Sequence, residues 1–191
     1  MKKIAILSAG IMMLSACGSN PFLKEWTGED QFPPFDKIRL SDYVPAVKAG
    51  IEQQKAEVNA IVANTEAPTF ENTVAAYELS GKLLARTLGV LYNVSESDAT
   101  PAMQAVMDEV TPLVTTSSDE IFMNKALFDR VAAVFADSAS LDREQYMVTK
   151  KLFNAFIDNG VALGEAEQAR FKEISSELAT LTQKFGNNLL A

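Results

Sequence analysis

The chain has 191 residues, 48% of them apolar and 22% charged, which suffices for one domain with a real core and is the balance of a globular chain rather than a disordered one. Its formal charge is −8, from 25 acidic and 17 basic residues, so a phosphate backbone is repelled and nucleic acid is not an expected partner. There is no histidine and a single cysteine, Cys17, which excludes an intrachain disulfide, a Ser-His or Cys-His nucleophile pair and a zinc site of the usual composition.

The first residues read as an address. Lys2 and Lys3 precede an apolar run from Ile4 to Leu14, and small residues lead through Ala16 to Cys17. The run is too short to cross a hydrocarbon core of roughly 30 Å as a permanent helix. The pattern resembles a bacterial lipoprotein signal, with 1–16 as signal peptide, cleavage after Ala16 and lipid on Cys17, whose thiolate accepts the diacylglycerol. Such an anchor places the protein on the cell envelope. The absence of an acidic residue directly after Cys17 points to the outer membrane, facing the periplasm.

Residues 17–40 are expected to form a tether and an extended arm, because Pro33 and Pro34 forbid a helix interior; the arm's aromatics, including Trp26, should pack on the body. Helical spacing then runs through 41–191 and strand signals are nearly absent. Ser41 is read as the cap of a first helix, followed by Asp42, with Pro45 tolerated in the first turn. Its stripe is Tyr43, Val47, Ile51, Val58 and Ile61 or Val62, and it ends between Asn64 and Pro68. Thr69 opens a second helix whose Phe70, Val74, Tyr77, Gly81, Leu84, Leu88 and Leu91 share one face, Gly81 allowing close approach of a neighbour. Thr100 and Pro101 open a third, with Met103, Val106, Met107, Val110, Leu113 and Val114 buried and a kink at Pro112. A shorter helix follows Asn124, another runs from about Leu141 to Asn159 and stops at Gly160, and the last starts near Gly164 and Glu165.

On that last helix Phe171, Ile174, Leu178, Leu181 and Phe185 lie along one side, and the pattern is still running at Ala191, so a truncated helical domain is expected. The fold class is all-α, a multi-helix bundle or array. Ser118, Asp119, Glu120 and Asp98 could suit calcium or magnesium by charge alone, but without EF-hand spacing Asp119 and Glu120 read as a solvated helix start.

Five stretches in order carry a resemblance: NPFLKEW (20–26), PPFDKIRLSDYVPAVKAGI (33–51), EAPTFENTVAAYELSG (66–81), VMDEVTPLVTTSSDEIFMNKALFDRV (106–131) and ISSELATLTQKFGNNLL (174–190). Together they resemble the N-terminal region of the thimet-oligopeptidase family of zinc metallopeptidases, in its peptidyl-dipeptidase (Dcp) and oligopeptidase A-like branch. The resemblance implies the N-terminal helical part of a larger two-lobed fold, one wall of a channel that admits short peptides. It implies a catalytic half with zinc on His-Glu-x-x-His, releasing dipeptides from peptide C-termini. No catalytic or metal-ligating residue of that motif occurs in this chain. The intact parent is therefore expected to be the enzyme, with short peptides and the missing C-terminal catalytic half as partners, and this segment alone to be non-catalytic. The competing reading is a free-standing helical envelope lipoprotein with a binding or structural role.

Overall fold

Polar side chains at the helix starts determine most of the architecture. The computed structural model describes residues 20–27 and 32–190, so Ala16, Cys17 and the leader lie outside the described residues. Helix α1 (Leu40–Val62) opens two residues before the expected start: the capping position is Arg39, not Ser41, and the Arg39 N–H donates to the Asp42 carboxylate at 2.8 Å. Ser41 is therefore inside the helix and Pro45 stands in the second turn. The amide that Pro45 lacks leaves the Ser41 carbonyl unserved, and both residues are exposed, where water can serve it.

Helix α2 is π-wound over Phe70–Ala75 and α-wound over Ala76–Glu78, opened by Thr69 and Asn72 exchanging backbone-to-side-chain bonds of 2.9 and 3.1 Å. The expected single helix through Leu91 is broken here. The Ser80 hydroxyl takes the Tyr77 carbonyl at 2.7 Å, and Gly81 turns left-handed at φ +67°, where a Cβ would be strained. The Gly81 N–H donates to Glu57 of α1 at 2.7 Å, and α3 (Lys82–Ser97) then starts in a new direction. A neighbour does approach Gly81, where a Cβ would lie 2.6 Å from the Gln54 side chain of α1, and the helix backbones come close at Gly50, where a Cβ would lie 2.8 Å from the Leu84 backbone.

The remaining helices follow their caps. Thr100 opens α4 (Pro101–Phe122), which continues through Pro112; Asn124 opens α5 (Lys125–Ala136); and Asp142 with Gln145 opens α6 (Arg143–Asp158). Gly160, at φ +85°, turns the chain into α7 (Glu165–Leu190). No strand occurs among the described residues, and the fold is all-α.

α1 is the common spine of two apolar clusters. Its first half joins the arm, α3 and α4 around Phe22, Tyr43, Val47, Leu91 and Val110. Its second half joins α2, α5 and α6 around Val58, Val74, Leu127, Val131 and Phe156. Each such fully buried side chain contributes roughly 1.5–3 kcal/mol relative to exposure. Rings link the second cluster, with Phe122 and Phe156 edge to face at 5.3 Å and Phe135 stacked on Phe153 at 4.7 Å.

The arm docks only in part as expected. Phe22 is fully buried, Trp26 donates to the Pro21 carbonyl at 3.1 Å, and Arg86 of α3 lies 4.7 Å over the Trp26 ring while donating to the Phe22 carbonyl. Asn20 donates to the Asp42 carbonyl at 2.8 Å. Phe32 and Phe35, however, are 74% and 59% exposed, on either side of a turn in which the Phe35 and Lys37 N–H groups donate to the Pro33 and Pro34 carbonyls.

Candidate functional surface

The acidic residues singled out by charge do not converge. Ser118, Asp119 and Glu120 lie near the C-terminal end of α4, not at a helix start. Asp119 is only 7% exposed and burial pushes its carboxyl pKa up, opposed by Lys172 on α7. Glu120 points elsewhere and pairs with Lys55 of α1 at 2.8 Å. Asp98 closes the C-terminal end of α3, its N–H on the Val94 carbonyl. Among the described residues, no three carboxylates or thiols stand close enough to hold a metal ion. No helix among them is long and apolar enough to cross a membrane.

One buried cation escaped the sequence reading. Arg130 on α5 is nearly buried and donates to the Asn64 carbonyl at 2.7 Å, the Glu66 carbonyl at 3.3 Å and Asn72 Oδ1 at 3.1 Å. It ties the end of α1, the loop and the cap of α2 into one knot. Its signal was present: Leu127, Arg130, Val131 and Val134 share one helical face, and an arginine on an apolar face needs acceptors.

Among the open features of the described residues, two are the largest in extent or regularity. A hollow of about 790 Å³ lies between the arm and the start of α1, lined by Trp26, Phe32 and Pro34 with the basic Lys24, Lys37 and Arg39 and the acidic Glu25, Asp36 and Asp42. The other is α7. It lies chiefly along α4. Its Ser175, Ala179 and Gln183 are half-buried, and the Gln183 amide donates to Asp108 of α4. The apolar row that the spacing places along one side is turned away from α4. Phe171 is half-covered beside the Gly160 turn, while Ile174, Leu178, Leu181, Phe185 and Leu189 are 49–71% exposed. So long an apolar row on one exposed face marks a contact surface rather than scattered surface leucines.

No family model matches the chain. Curated relatives do. The dipeptidyl carboxypeptidase of Escherichia coli (strain K12) is 34% identical over 174 residues, covering 90% of this chain and 26% of that protein. Its counterpart in Salmonella typhimurium is 34% identical over 175 residues, with 91% and 26% covered. The organellar oligopeptidase A of Arabidopsis thaliana is 25% identical over 174 residues, with 90% and 21% covered. The chain spans about a quarter of the length of these relatives. Along nine-tenths of its length the chain is therefore similar to one segment, about a quarter, of proteins named dipeptidyl carboxypeptidase and oligopeptidase A.

Proposed function

We propose that this chain is the N-terminal, non-catalytic helical wall of a zinc peptidyl-dipeptidase, whose complete form hydrolyses short peptides and releases C-terminal dipeptides. The observation that carries the reading is the 34% identity to a dipeptidyl carboxypeptidase over 90% of the chain but 26% of the relative. The residues present do not fit a catalytic zinc ion. The sequence has no imidazole, its only thiol is Cys17, and the described carboxylates form no cluster. Metal and general base belong to polypeptide outside these 191 residues, in the second lobe of the fold, and no step of hydrolysis is assigned to this segment.

The test is a chimera in which residues 20–191 replace the matched segment of the Escherichia coli relative. Release of C-terminal dipeptides within about tenfold of the parent kcat/KM is expected, since a wall that positions substrate contributes less than the groups that react. A soluble, cooperatively folded chimera without activity sinks the reading. Reading the gene past codon 191 for His-Glu-x-x-His is the companion test. The free-standing lipoprotein reading gains no support from the relatives, all of them peptidases by name.

The N-terminus supports a location. We infer that Cys17 carries lipid after cleavage behind Ala16 and holds the protein on the periplasmic face of the outer membrane, the anchor resting on the sequence pattern alone. Cys17→Ser should move the protein from the membrane to the soluble fraction and abolish incorporation of labelled fatty acid. Unchanged membrane binding would remove the anchor from the account.

A further inference from the structure

We propose that the apolar stripe of α7 is the seat of one helix from the part of the peptidase outside these 191 residues. This rests on the proposed function for the occupant, but the seat itself is read from α7. Phe171, Ile174, Leu178, Leu181 and Phe185 recur at alternating steps of three and four, the seam along which a second helix sets knobs into holes. The seam is not the side α7 shows to α4. Ser175, Ala179 and Gln183 make that side, and at 3.6 residues per turn the stripe lies about 120° around the axis from it. α7 thus has one small-residue face in use and one large-residue face open.

The size of the open face selects the occupant. Its half-exposed large side chains offer roughly 500 Å², at about 100 Å² each. A free-standing dimer needs about 800 Å² per partner, so a second copy is poorly held by this face alone. A helix of the same polypeptide needs far less, because its effective concentration is of millimolar order. The relatives supply the source of such a helix, since the matched segment is only 26% of the dipeptidyl carboxypeptidase.

Thiol labelling of Leu178→Cys in a Cys17→Ser background tests the seat, in the 191-residue chain and in the chimera, with label position read by peptide mass spectrometry. The 191-residue chain should label fast at every concentration. The folded chimera should label at least 50-fold more slowly, and fast again in urea. Equal labelling of both in a chimera that hydrolyses peptide overturns the seat and leaves the proposed function standing. Protection without peptidase activity supports the seat and sinks the proposed function. Protection of the 191-residue chain on raising its concentration, with a dimer in sedimentation, makes the occupant a second copy and overturns the proposal. Should the chimera not fold, the Escherichia coli protein without its matched segment is added in trans. Slowed labelling then supports the seat, and unchanged labelling at saturation overturns it.

Discussion

α6 and α7 are both amphipathic, but they meet opposite fates. α6 turns Leu152 and Phe156 into a cluster closed by α1, α2 and α5, and keeps its charged residues outside. α7 carries as regular an apolar row and leaves it in solvent, docking on α4 through Ser175, Ala179 and Gln183. Periodicity shows that a helix has an apolar face. It does not show that the partner for that face is among the same 191 residues. The two clusters along α1 are buried within the described residues, whereas the apolar row of α7 is exposed among them.

The sharpest way to break that contrast is truncation on each helix. Phe156→Ala should cost about 3–5 kcal/mol, enough to unfold much of the second cluster, because it leaves a cavity among rings. Leu178→Ala should change stability by less than about 0.5 kcal/mol. Urea unfolding of the two variants decides it, and comparable losses would mean that α7 is covered in solution. Next in size, Arg130→Met should cost about 2–3 kcal/mol by leaving the Asn64 and Glu66 carbonyls without their donor. The loss should show first as faster hydrogen exchange in α2 than in α7.

A smaller effect concerns the face α7 already uses. Burial raises the Asp119 pKa above 3.8, so its contribution to stability is fully present below that value and is lost as pH rises through the folded pKa. Asp119→Asn should therefore raise Tm by about 1–2 °C at pH 7, and the gain should vanish on acidification below 3.8. A lower Tm at pH 7 would mean that Lys172 outweighs burial. Smallest is Tyr77, whose hydroxyl burial pushes up to about 12. Stability tied to it is fully present below pH 10 and fades towards 12, so Tyr77→Phe should flatten that alkaline decline in thermal scans.

Much of this was legible beforehand for a physical reason. Thr69, Thr100 and Asn124 are residues whose short oxygens cap backbone amides, and each stands one residue before a helix. The break at Gly81 was not legible from the stripe, because Phe70, Val74, Leu84 and Leu91 keep helical spacing on both sides of the left-handed residue. Ser80 before Gly81 was the available clue, a side chain that captures a carbonyl beside a residue free to turn. Phe32 and Phe35 misled because aromatic content says nothing of reach when prolines fix the path. For α7 the apolar row was read correctly as one side of the helix, whereas the side that meets α4, with Ser175, Ala179 and Gln183, left no mark in the apolar pattern.

The bond from Asn20 to the Asp42 carbonyl has a mechanical consequence for the lipidated form. Three peptide units separate Asn20 from Cys17, a leash of about 10 Å at full stretch. With the proposed anchor in place, a body moored so closely would ride against the lipid headgroups with the start of α1 lowermost.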